Sequence, residues 1–381
     1  MRNGVLLGLA GVLALVVACS GGVVPNPGAN YGGRAPLAAG TQDANGPIVS
    51  LPVPVARPLP VTNAAPAGLR AEVDRLIGEF PGKAGAAIRA VDDGWTVQRG
   101  GALSLPQQSV SKLWVAMTVL SQRDAGKLRL DDPVLVTTND LTLFHQPIAS
   151  LVRGEGYQTT VMGLLTRALT QSDNTANDRL LRLVGGPSAV RAFIAEHQLG
   201  AIRFGPGERL LQSGTAGLTW NQSMAMGRGF EAARARLAPE VRAAAMQRYI
   251  DNPPDGAAPL AIADALARLA RGDLLSETST RVMLDTMGAS VTGRARLRAA
   301  LPSGWTIAHK TGTGQELAGR NAGFNDVGLL TAPDGKRYAV AVMIGDTRAP
   351  MRVRQQLIQN VAAALTGGHA GGTVGEDASD G

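Results

Sequence analysis

Cysteine is nearly absent: the chain of 381 residues holds one, Cys19. That excludes an intramolecular disulfide. Histidine is scarce as well. His145, His197, His309 and His369 are scattered, no Cys/His cluster exists, and neither a metal nor another cofactor is expected. Aromatic residues make up only 4%. The formal charge is +7, but the positive residues are dispersed arginines without runs or interleaved aromatics. That pattern reads as solvated surface and argues against a nucleic-acid partner.

Long apolar runs are missing too. Gly4 to Ala18, after Met1-Arg2-Asn3, is too short for a comfortable membrane span and reads as a secretory signal, residues 1–18. It ends Leu15-Val16-Val17-Ala18-Cys19. This resembles a bacterial lipobox, in which the cysteine becomes the lipidated first residue of the mature protein. The resemblance implies a lipoprotein anchored through Cys19 to a membrane of the bacterial cell envelope and facing the periplasm. Residues 19–66 are rich in Pro, Gly, Ala and Asn without helical or strand period, and read as a tether. Residues 367–381 are Gly-rich and acidic and read as a disordered tail. The folded body is therefore 67–366, within reach of one two-lobed domain.

What is present begins with Ser109-Val110-Ser111-Lys112, which opens the apolar run Leu113 to Leu120. Residues three apart share a helix face, so the spacing sets an amine beside a hydroxyl. A serine becomes a nucleophile when a neighbouring base takes its proton, and a desolvated lysine is such a base. The apolar run predicts a helix buried on most sides, a rigid mount for a nucleophile. Ser-x-x-Lys alone is a short pattern and most often ordinary helix surface. Its meaning depends on which other motifs stand downstream of it in the chain.

Leu69 to Phe80 is apolar at helical spacing and stops at Pro81-Gly82. Ala84–Val91 and Trp95–Arg99 flank Asp92-Asp93-Gly94 and predict a hairpin. The helix predicted at Val161–Thr170 runs into a polar corner, Ser172-Asp173-Asn174, and helical spacing resumes at Asp178. Ser, Asp and Asn bond their own backbone at turns, so the corner can be a plain helix break or a presented hydroxyl and amide. Phe204 to Gln212 is a Gly/Pro loop carrying Glu208. Helical pieces come next at 224–250, 258–271, 276–287 and 293–301. The period then changes. Trp305–His309 predicts a strand that reaches Lys310-Thr311-Gly312-Thr313-Gly314. Phe324–Thr331 and Arg337–Ile344 flank Pro333-Asp334-Gly335 as a hairpin, and Met351–Leu365 is an amphipathic helix. Strands from both chain ends predict one antiparallel sheet with the terminal helices on it and a helical lobe beside it, an α+β fold.

Ser109-x-x-Lys112, Ser172-Asp173-Asn174 and Lys310-Thr311-Gly312 stand in the order of the signature of class A β-lactamases and penicillin-binding proteins. The body resembles a serine hydrolase of that family across its whole length. Gly272-Asp273-Leu274-Leu275-Ser276 and Leu301-Pro302-Ser303-Gly304-Trp305 also read like it. The resemblance implies that Ser109 forms an acyl-enzyme, Lys112 helps take its proton, and Ser172 relays a proton to the departing nitrogen. It implies that Asn174 binds the substrate's side-chain amide and that Lys310 and Thr311 hold its carboxylate. The N–H groups of Ser109 and Thr313 would form the oxyanion hole, and Gly312 would let the strand edge approach the ligand.

Glu208, 36 residues past Ser172, stands near the place of the family's deacylating glutamate, and Leu211 fits its Glu-x-x-Leu-Asn pattern. Gln212 departs from that pattern, as does Pro206-Gly207. The span from Asn174 to Lys310 is longer than the family's, with the excess at about 215–256. This helical insertion would cover the cleft, dimerise or decorate the surface; the oligomeric state stays open. Some relatives use a second cation for the substrate carboxylate, and Arg320 is the candidate here. The expected function is β-lactam hydrolysis. A D-alanyl-D-alanine peptidase or transpeptidase acting on a peptidoglycan-like peptide and a non-catalytic envelope binding protein are the alternatives.

Overall fold

The computed structural model describes residues 64–376. The signal segment 1–18, Cys19, nearly all of the tether and the last five residues lie outside them. In chain order the helices are α1 (Leu69–Gly78), α2 (Lys112–Asp124), α3 (Val161–Thr166), α4 (Asn174–Leu183), α5 (Gly186–Glu196), α6 (Glu208–Thr215), α7 (Gly229–Ala235), α8 (Pro239–Asp251), α9 (Pro259–Arg271), α10 (Glu277–Gly288) and α11 (Met351–Glu376). The long strands are β1 (Gly82–Ala90), β2 (Thr96–Arg99), β3 (Thr306–Thr313), β4 (Phe324–Thr331) and β5 (Arg337–Thr347).

The sheet runs β2-β1-β5-β4-β3 and its pairings are antiparallel. Both ends of the folded body therefore meet in one sheet, as the pattern predicts. Its two faces follow from the period of two. On β5, Val340, Val342 and Ile344 pack toward α1 and α11. Ala339, Ala341 and Met343 pack toward the helical lobe. Small residues on the second face let α9 lie close against the sheet.

The centre of the lobe is α2. Its first nine residues, Lys112 to Leu120, are all buried. Burying each large apolar side chain stabilises by about 1.5–3 kcal/mol relative to leaving it exposed. A helix enclosed on every side has no freedom to rock, so the residues at its start are fixed by the core.

Two expectations change. The acidic tail was expected to be disordered from residue 367, but α11 continues to Glu376. His369 explains the extension in part. Its Nδ1 lies 2.9 Å from the Tyr338 hydroxyl, and its ring stands edge-on to Trp305 at 5.2 Å, which ties this turn to the sheet. The stretch 293–301, expected as helical, is loop with one 3₁₀ turn, Leu297–Ala300. The stretch 215–256 carries α7 and α8.

Candidate active site

Ser109 lies in a 3₁₀ turn, Gln108–Ser111, that leads directly into α2. At three residues per turn, positions i and i+3 eclipse. Lys112 Nζ accordingly donates to Ser109 Oγ at 2.9 Å. The same amine reaches Asn174 Oδ1 at 2.9 Å and forms an ion pair with the Glu208 carboxylate. Lys112 is fully buried and Glu208 is 3% exposed. The amine and the carboxylate are thus desolvated together, and the half-buried nucleophile meets the same amine.

The residue before the nucleophile is under backbone constraint. Gln108 has φ 54, in the left-handed region that non-glycine residues seldom occupy. Its side chain and backbone are both tied down. Its N–H donates to Asp255 Oδ2 at 2.8 Å, and its Nε2 donates to the Tyr249 hydroxyl at 2.6 Å. The Tyr249 hydroxyl in turn donates to Asp255 Oδ2 at 3.2 Å. Burial pushes the Asp255 carboxyl up to about 6, against the hydrogen bonds from Gln108 and Tyr249. Tyr249 belongs to α8, so that helix props the nucleophile turn from behind.

Ser172 follows one turn of π-helix, Arg167–Gln171, and has φ 61. A π turn shifts the register by one residue, and such turns mark functional places in helices. Asp173 then caps α4 by accepting from Ala176 N at 2.9 Å, and its other oxygen accepts from Ile148 N at 2.7 Å. Lys310 Nζ donates to Ser172 Oγ at 2.8 Å. Lys310 is fully buried behind that serine. Desolvation holds its ammonium well below the usual range, and nearby Lys112 pushes the same way.

Glu208 opens α6. Asp178 anchors that helix start, accepting from Glu208 N at 2.8 Å and from Arg209 N at 3.2 Å. Gly207 has φ 97, and a Cβ there would press on Leu181 and Asp178, so glycine is required at this entry. Gln212, one turn on, donates through Nε2 to Gln108 Oε1 at 3.0 Å and to Glu208 Oε2 at 3.4 Å. The longer side chain is accommodated by this bridge to Gln108.

The open cleft, about 450 Å³, is lined by Ser109, Ser172, Asn174, Gln212, Thr311 and Thr313 among others. That is room for a drug-sized molecule. Ser109, Lys112, Ser172, Asn174, Glu208, Lys310, Thr311 and Thr313 are thus brought together as the sequence pattern requires. A Cβ on Gly312 would run into the Gln107 carbonyl oxygen, so the glycine lets β3 approach the nucleophile turn.

The second cation is elsewhere. Arg320 pairs with Asp346 at 2.6 Å instead. Arg296 takes its place in the cleft, donating to Thr313 Oγ1 at 2.5 Å and to the Gly312 carbonyl at 2.9 Å. Its guanidinium lies 3.8 Å from the centre of the Phe324 ring. Burial lowers it to about 10, opposed by Asp326. Nothing in the pattern singles out Arg296, one of many dispersed arginines, on a stretch expected to be helix. Asp178, Tyr249 and Asp255 escape the sequence pattern for a similar reason, since their partners are distant in sequence.

A model of the β-lactamase enzyme family matches residues 68–367. The chain is 30% identical over 303 residues to the extended-spectrum β-lactamase PER-1 of Pseudomonas aeruginosa, covering 79% of this chain and 87% of that one. Among solved structures, a β-lactamase from Chitinophaga pinensis matches with TM-score 0.64 and 27% identity, over 78% of this chain and 98% of that one. An ancestral class A β-lactamase matches with TM-score 0.61 and 28% identity, over 78% of this chain and 99% of that one. With its serine, two lysines and glutamate assembled around one cleft, the chain belongs to the β-lactamase enzyme family, among the serine hydrolases of class A type.

Proposed function

We propose that the protein hydrolyses β-lactams through a covalent ester on Ser109. The observation that carries this reading is the single contact of Lys112 Nζ with Ser109 Oγ, Asn174 Oδ1 and the Glu208 carboxylate. Ser109 Oγ attacks the lactam carbonyl, and its proton passes to the Lys112–Glu208 pair. The developing oxyanion sits between the backbone N–H groups of Ser109 and Thr313, a kind of donor whose loss typically costs about 10²–10³ in rate. The carbonyl–nitrogen bond breaks, the nitrogen takes a proton from Ser172, and the proton held by the Lys112–Glu208 pair passes to the Ser172 oxygen, which leaves Glu208 free to act as a base. Lys310 Nζ, 2.8 Å behind that serine, stabilises the hydroxyl oxygen as its proton leaves. The substrate carboxylate meets Thr311, Thr313 and Arg296. Water, activated by Glu208 and oriented by the Gln212 amide, then attacks the ester and frees Ser109.

Mixing the protein with a penicillin and following its intact mass tests each step. The wild type is expected to show an adduct that appears and clears. Glu208→Gln is expected to keep it, and Ser109→Ala to form none. An adduct that persists in the wild type would instead mean a penicillin-binding enzyme without turnover, and no adduct in the wild type would remove the β-lactam reading.

A further inference from the structure

Arg234 stands on α7, within the insertion, yet it lines the cleft beside Gly314, Gln315 and Glu316. Its Nη2 donates to the Glu316 carbonyl at 3.0 Å. Its Nε is buried without a hydrogen-bond partner. The Glu316 carboxylate does not serve it, being paired with Arg354 at 2.7 Å. Burial lowers the charge affinity of Arg234, and Arg242 of α8 adds to this, opposed by Glu231 on the same helix. Arg242 Nε is likewise buried and unpartnered. Two guanidiniums therefore converge where, among the described residues, no carboxylate forms an ion pair with either.

The position along the rim gives this cation a use. Arg296 binds at Thr313 and Arg234 at Glu316, three residues further on. At no more than about 3.6 Å per residue, the two anchor points lie at most roughly 11 Å apart. In a penicillin the acyl side chain and the ring carboxylate sit at opposite ends of the fused rings, so a carboxylate held at Arg296 would leave the side chain to extend away from Arg296 along a cleft that Arg234 also lines. Phe144, 46% exposed, also lines this cleft. Phe230 of α7 braces it edge-on at 4.9 Å. The insertion thus contributes a cation and supports an aromatic wall.

We propose that Arg234 forms a second anion subsite in the cleft, which selects β-lactams whose acyl side chain carries its own carboxylate. This rests on the β-lactam reading above. A guanidinium offers a carboxylate two parallel N–H donors, and the partial burial of this one limits screening by solvent.

The test uses a matched pair, benzylpenicillin and its α-carboxy analogue carbenicillin, which differ by that one carboxylate. The readout is the ratio of their kcat/KM values. In Arg234→Gln the carbenicillin-to-benzylpenicillin ratio is expected to fall about tenfold, and Arg234→Lys is expected to restore part of it. In the wild type the ratio is expected to fall as salt rises. An unchanged ratio in Arg234→Gln overturns the subsite. Should that variant not fold, a wild-type ratio independent of salt overturns it. Turnover of neither penicillin overturns the β-lactam reading instead, so the two failures are told apart.

Discussion

Asp255 gives a sharp test of the network behind the nucleophile. Its carboxyl is 1% exposed, one oxygen accepts from Gln108 N–H and the Tyr249 hydroxyl, and the other is buried without a partner. Burial raises it from 3.8 to about 6 in the folded state. An acid whose folded value is raised binds a proton more tightly when folded. Its contribution to stability is therefore fully present below pH 3.8 and is lost as pH rises to about 6. At about 1.36 kcal/mol per unit, the loss amounts to about 3 kcal/mol by neutral pH. Asp255→Asn keeps the shape and one acceptor oxygen but cannot ionise. Urea unfolding of both proteins from pH 3.5 to 7.5 isolates the effect, because other titrating groups cancel in the difference. The wild type is expected to weaken relative to Asp255→Asn by about 3 kcal/mol across that window. A flat difference would refute the dominance of burial. A difference of opposite slope would show that the Gln108 and Tyr249 bonds win over desolvation.

The cleft yields two further expected outcomes. Arg296→Ala removes the cation bonded to Thr313, and kcat/KM for a penicillin is expected to fall about tenfold to a hundredfold, mostly through KM; steady-state kinetics would show it, and an unchanged KM would contradict the role. Gly312→Ala drives a methyl into the Gln107 carbonyl, and the cost of relieving such a clash is typically about 1–3 kcal/mol. Thermal unfolding should show a lowered midpoint together with slower acylation, since the strand and the nucleophile turn must part; a midpoint equal to the wild type would contradict the packing.

The parts of the site that are legible in the sequence are those whose geometry is local. Ser109 and Lys112 meet because one turn of helix brings them together, and Ser172 and Asn174 flank a helix start that Asp173 caps. The alternation on β5 is a local property too, and it decides which faces the sheet buries. What the sequence hides depends on contacts between distant segments. Asp255 lies 147 residues from the Gln108 N–H it binds. Arg296 enters the cleft from a loop whose residues favour a helix, and Arg320 is drawn off by Asp346. Gly312 is legible as a close approach, but its approach to the Gln107 carbonyl is not. The tail departs from its composition because composition does not register one histidine packed on Trp305 and Tyr338.

The pairing of Gly82 with Thr347 has a consequence for how the molecule is made. During synthesis β1 emerges well before its neighbour β5, the last strand among the described residues. Until then β1 has only the short hairpin partner β2, and such a pair is marginal in water. Closing so long a loop is slow, and it is rewarded only when the whole sheet zips. A nascent chain lacking residues 337–347 would hold the nucleophile turn without the strand framework that supports it. Activity is thus withheld until β5 has been made and has joined β1 and β4.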